Sequence, residues 1–199
     1  GFFYGCDQMK HCDLRDLYVG AGDGTYDAGV KSTHEMFRGC TGIKYASTLD
    51  KFLLKFNAPG EQNDPEAGLV GTWLARPAAA AGKVAGIPAS HGVIFGTGWD
   101  GVCMQDASFM FADIPTLEIV RLNELTGTEG IDLSYFLYNS MTSSEVEEGQ
   151  LIMTNVGTAA KANLSNFAKG ARALRYVNMT NVATNIDATL ESAFEGCCG

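Results

Sequence analysis

Six cysteines in 199 residues constrain this chain more than any other feature. An even count permits three disulfides in 15 arrangements. Cys197 and Cys198 are adjacent, and a bridge between neighbours strains the backbone, so each is expected to reach elsewhere. Cys6, Cys12, Cys40, Cys103, Cys197 and Cys198 are therefore the disulfide candidates. They point to a covalently braced protein of an oxidising compartment.

Composition narrows the function classes. Apolar residues make up 46% and charged residues 19%, enough to build a core and too apolar for a disordered chain. A net charge of −9 argues against direct nucleic-acid binding, which needs a local excess of Lys and Arg. No stretch reaches the roughly 18 apolar residues of a membrane span. The opening Gly1-Phe-Phe-Tyr-Gly-Cys6 has no methionine or basic leader and reads as a trimmed start.

The patterning predicts one α+β domain with an antiparallel β-sheet core (about 69–156) flanked by N-terminal and C-terminal helices. The N-terminal part (1–60) combines helix and loop, and the C-terminal part (157–199) is helical. A helical pattern runs from Asp7 to Tyr18. Ser32 and Glu35 have capping-box spacing ahead of a turn ending at Gly39. Tyr45, Leu49, Phe52, Leu53 and Phe56 share one face of a helix over 47–57. Short apolar runs between glycines follow, among them Leu69–Ala75, Gly92–Gly96, Thr116–Leu122, Ile131–Tyr138 and Gln150–Val156, read as strands. The turn Gly96–Gly101 has the composition of a hairpin. Ala160, Leu164, Phe167, Ala171 and Leu174 keep a 4-3-4-3 rhythm, and Ile186, Leu190 and Phe194 fall at i, i+4, i+8; both predict amphipathic helices. No internal repeat is evident in this reading.

Candidate chemistry is sparse. Only His11, His34 and His91 are present. Cys103 with His91 is a candidate nucleophile–base pair, and no motif surrounds it. Cys6, Cys12, His34 and Cys40 offer zinc-type ligands, but five residues between the first pair exceed the usual two to four. The loop Gly20–Gly29 lacks the oxygen array of a calcium site and the lysine of a phosphate loop, so no cofactor is assigned. Lys161, Lys169, Arg172 and Arg175 project onto one flank of the predicted C-terminal helix, a candidate contact for an acidic surface. Asn163-Leu-Ser and Asn178-Met-Thr fit the glycosylation triplet, with Asn163 placed inside a helix.

These readings converge on a structural, self-assembling subunit, a virion capsid or tail protein or an extracellular filament component, whose partners are copies of itself. One alternative is a secreted or lumenal hydrolase or transferase with its site on the glycine-rich loops at Gly20–Gly29 and Gly96–Asp100. Another is a carbohydrate- or small-molecule-binding module using Trp73 and Trp99 as stacking platforms.

Overall fold

The computed structural model describes residues 1–9, 12–13, 32–47, 92–94, 104–123, 125, 130–158 and 161–198. Of the expected helix over 47–57, Ser47 ends a strand and 48–57 fall outside these residues, as do the Gly20–Gly29 loop, the 96–101 turn and the run 69–75. Among the described residues, eight strands form two parallel sheets. The larger holds β1 (Cys12–Asp13), β2 (Tyr45–Ser47), β3 (Gly92–Ile94), β4 (Ile119–Asn123), β6 (Gly149–Val156) and β8 (Leu174–Val182), in the order β1-β3-β2-β4-β6-β8. The smaller pairs β5 (Ile131–Asp132) with β7 (Ala162–Asn163). Among the described residues there is no helix. The α+β reading, with its antiparallel core and flanking helices, is therefore overturned: every pairing is parallel.

What replaces the helices is a stack of six similar tight-turn rungs, at residues 1–9, 32–43, 104–117, 130–146, 161–174 and 185–198. Each rung passes backbone N–H groups to the carbonyls of the next. Phe3 N donates to Met36 O, Phe37 N to Met110 O, Phe111 N to Phe136 O, Leu137 N to Phe167 O and Ala168 N to Ala193 O. Two residues on, Gly5 N donates to Arg38 O, Gly39 N to Ala112 O, Asp113 N to Tyr138 O, Asn139 N to Lys169 O and Gly170 N to Glu195 O. This register aligns six segments: Phe2-Phe-Tyr-Gly-Cys6, Met36-Phe-Arg-Gly-Cys40, Met110-Phe-Ala-Asp-Ile114, Phe136-Leu-Tyr-Asn-Ser140, Phe167-Ala-Lys-Gly-Ala171 and Ala193-Phe-Glu-Gly-Cys197. The chain is thus a repeat built as a solenoid, in which each unit buries its apolar face on its neighbours. The absence of a repeat in the sequence reading is corrected on this point.

Left-handed backbone makes the rungs possible. One column, Gly5, Gly39, Asp113, Asn139, Gly170 and Gly196, has φ between 53° and 81°. Glycine, Asn and Asp are the residues that tolerate that conformation. A second column is left-handed without glycine: Glu35, Phe109, Tyr135, Asn166 and Ser192, φ 53° to 56°. Between these points the chain makes short turns, for example Phe167 N to Leu164 O, Ala171 N to Ala168 O and Leu174 N to Ala171 O. Inward residues consequently recur three and four apart, as they do on a helix. Leu164, Phe167, Ala171 and Leu174 are buried as the seam requires, but on turns and strand. The Ser32/Glu35 capping box is an ST-turn instead, with His34 N donating to Ser32 Oγ at 3.3 Å.

The core runs the length of the stack. Phe3, Phe37 and Phe111 form a ring column with centroids 5.2 and 5.3 Å apart. It then steps back one residue to Phe136 and Phe167, 5.3 Å apart. Volume is compensated within each rung: Met36-Phe37 and Met110-Phe111, then Phe136-Leu137, Phe167-Ala168 and Ala193-Phe194. Phe37, Phe111, Phe136 and Phe167 are at most 1% exposed, so the phenylalanine column is the main apolar stabiliser of the stack.

Candidate interaction surface

Two polar columns flank the core. The first follows the parallel bridges Ser32–Asp106, Asp106–Asp132 and Asn163–Thr189 together with β5–β7. In three rungs the side chain closes an Asx-turn two residues ahead: Ser108 N donates to Asp106 Oδ1 at 3.0 Å, Ser134 N to Asp132 Oδ1 at 2.8 Å and Ser165 N to Asn163 Oδ1 at 3.1 Å. The side chains also link rung to rung. Asn163 Nδ2 donates to Asp132 Oδ1 at 3.1 Å, and Thr189 Oγ1 to Asn163 Oδ1 at 3.0 Å. An open groove of about 430 Å³ lies beside them, lined by Gln105, Gly130, Ile131, Asp132, Lys161 and Asn163.

Serine, histidine and aspartate meet at one end of this ladder. Ser108 Oγ donates to Asp106 Oδ1 at 2.6 Å and lies 2.7 Å from His34 Nδ1. A hydrolytic triad needs histidine between the serine and the acid. Here the serine is in the middle, its proton is committed to the carboxylate, and the residue is 6% exposed. The arrangement ties the second rung to the third and does not activate Ser108.

The second column is the outward left-handed one. Phe109 and Tyr135 stack with centroids 4.6 Å apart and planes 4° apart. Tyr138 meets Tyr135 edge-on and Arg38 covers Phe109 at 5.1 Å. A bulky residue in the left-handed region costs about 1–2 kcal/mol, and an aromatic pair returns about 0.5–1.5 kcal/mol, so stacking offsets much of the strain. Arg38 is held by Asp113 at 2.8 Å and by Glu35. Burial pulls its guanidinium pKa down, but the hydrogen bonds to Asp113 and Glu35 outweigh that and leave it raised. The ring faces are thus occupied within the protein.

Cysteines occupy one repeated rung position. Cys6, Cys40, Ile114, Ser140, Ala171 and Cys197 each follow the glycine-type left-handed residue. Where the side chain can donate, it reaches back to the same carbonyl of the preceding rung: Cys40 Sγ to Phe3 O at 3.1 Å, Ser140 Oγ to Phe111 O at 2.6 Å, Cys197 Sγ to Ala168 O at 3.2 Å. Cys6, Cys12, Cys40, Cys197 and Cys198 carry free thiols, and Cys103 lies outside the described residues. Burial, foremost, pushes the Cys40 thiol up to about 11 and raises Cys197 for the same reason. Among the described residues no group of His, Cys, Asp and Glu side chains converges as a metal site. His34 faces Ser108 while Cys40 points into the core.

The basic residues are dispersed. Without the helix there is no shared flank: Lys169 pairs with Glu195 at 3.0 Å, Lys161 borders the groove, and Arg175 Nη1 donates to the carbonyl of the neighbouring Arg172 at 2.9 Å. His91, Trp73 and Trp99 lie outside the described residues. No described helix is long and apolar enough to cross a membrane.

The ends of the stack were missed by sequence reasoning. The exposed large apolar residues among those described are Phe2 (83%), Tyr4, Val177, Ile186 (97%) and Leu190. They lie in the first rung, in β8 and in the sixth rung. The signal that would have found these rungs is the recurrence of Phe-x-Gly-Cys at residues 3–6, 37–40 and 194–197. Comparisons with protein-family models, curated proteins and solved structures gave no match.

Proposed function

We propose that the protein is a non-catalytic structural subunit whose copies stack head to tail, as in a virion component or an extracellular filament. The observation that carries this reading is the complementarity of the two end rungs. Within the aligned five-residue segments, every inter-rung N–H donates toward the next rung. In the sixth rung Phe194 N and Gly196 N occupy the donating positions and have no acceptor among the described residues. In the first rung Phe2 O and Tyr4 O occupy the accepting positions and have no donor among them. A second copy would bring these together, with the Cys6 thiol placed to donate to Phe194 O as Cys40 does to Phe3 O.

Apolar exposure supports the same reading. Solenoids end in rungs with a polar outer face when those ends meet water. Ile186 and Leu190 in the sixth rung, and Phe2 and Tyr4 in the first, are exposed instead, and a head-to-tail contact would cover them. Head-to-head pairing would set donors against donors, so the contact is heterologous and open-ended.

Light scattering after size-exclusion chromatography tests this across protein concentration, with and without reductant. Mass is expected to rise with concentration in both conditions, because the contact is made by backbone and apolar groups. A single monomeric mass throughout would overturn the proposal.

A further inference from the structure

We infer that Asn178 is an acceptor for an N-linked glycan and that Asn163 is not. Both carry the triplet in sequence, Asn178-Met-Thr and Asn163-Leu-Ser, so the triplet alone does not separate them. The fold does. Asn178 and Thr180 lie on β8, at the edge of the larger sheet. Met179 between them packs against the core, so the alternation of a strand turns 178 and 180 outward. Both are exposed. Thr180 Oγ1 lies 3.4 Å from Asn178 Oδ1, the hydroxyl–amide contact the triplet provides, and Asn178 Nδ2 has no hydrogen-bond partner among the described residues.

Asn163 is committed on every side. Its Nδ2 donates to Asp132, its Oδ1 accepts from Ser165 N and Thr189 Oγ1, and it sits in the ladder that joins the fourth, fifth and sixth rungs. A sugar on that nitrogen would leave it a single N–H and force a bulky group between hydrogen-bonded rungs, so a chain modified there could not complete the stack.

The reaction is a group transfer from a lipid-linked oligosaccharide diphosphate. The Asn178 amide nitrogen forms a bond to the first sugar carbon, that carbon's bond to the diphosphate oxygen breaks, the lipid diphosphate departs, and the amide loses one proton. The inference does not depend on end-to-end stacking. A side chain at 178 stands off the sheet face, whereas the edge hydrogen-bonding groups lie in the sheet plane.

The test is expression of the chain behind a cleavable secretion signal in eukaryotic cells. The secreted, folded protein is then peptide-mapped before and after peptide N-glycosidase. The expected result is a glycan at residue 178, converted to Asp on release, absent from Asn178→Gln and Thr180→Ala and retained in Asn163→Gln. A secreted, folded wild-type chain with residue 178 unmodified, or with a glycan on Asn163, would overturn the inference. Circular dichroism of the two non-acceptor variants separates loss of the site from loss of the fold.

Discussion

The fourth and fifth rungs and the sixth are made from the same turn, yet they stand in opposite circumstances. Phe136 and Phe167 are at most 1% exposed and stack on each other, with hydrogen-bonded rungs on both sides. In the sixth rung Phe194 is half-buried, Ile186 is 97% exposed, and one whole row of N–H groups has no described acceptor. The same local conformation therefore gives a covered unit or an exposed one depending only on what lies above it. Stability in such a stack is a sum over rung contacts.

That contrast can be broken from the inside first. Phe136→Ala should cost about 3–5 kcal/mol, the range for an aromatic removed from a tight core, read as a lowered urea midpoint. The equivalent change at Phe194 should cost markedly less. Gly170→Ala comes next. Its Cβ would lie 2.7 Å from Asn139 Oδ1 at φ +81°, so about 1–3 kcal/mol is expected from strain of that kind. Replacing Ile186 and Leu190 together by Ser should change monomer stability by about 0.5 kcal/mol or less. The same variant should abolish the concentration-dependent rise in mass. If mass still rises, the end rungs are not the contact.

Titration separates buried from exposed rungs at smaller amplitude. The Cys40 thiol is ordinarily near 9 and is raised to about 11 in the fold. Its contribution is whole below pH 9 and is lost as pH rises through 11. The denaturation midpoint should fall across that window in the wild type and fall less in Cys40→Ser, where Cys197 still titrates; the serine is tolerated because Ser140 already fills the same rung position. The smallest effect belongs to the exposed Lys169–Glu195 pair. The hydrogen bond from Lys169 holds the Glu195 carboxyl below its usual range, so the sixth rung should loosen only as pH falls through that depressed value. Hydrogen exchange at Gly170, whose N–H is bonded to Glu195 O, would detect it.

The inward residues were legible in the sequence and the backbone was not. The seam Leu164, Phe167, Ala171 and Leu174 is buried, because three- and four-residue spacing is shared by a helix and by turns broken at left-handed residues. Asn166 and Gly170, at φ 56° and 81°, decide between the two. In sequence alone Gly170 is only a residue that costs about 1 kcal/mol inside a helix. Strand direction was also out of reach, since Ile131–Asp132 and Gln150–Val156 pair with partners 26 to 31 residues away and no short-range signal records that. The repeat hid behind substitution: Gly becomes Asp113 and Asn139, and Cys becomes Ile114, Ser140 and Ala171.

The phenylalanine column steps back by one residue between Phe111 and Phe136. Units on either side of that dislocation are consequently not interchangeable parts. Excising residues 130–158 would set Met110-Phe111 beside the Phe167-Ala168 pair, and excising 104–129 would set Met36-Phe37 beside Phe136-Leu137; in both the step still matches. The order of sizes along the axis thus survives the loss of one unit next to the step.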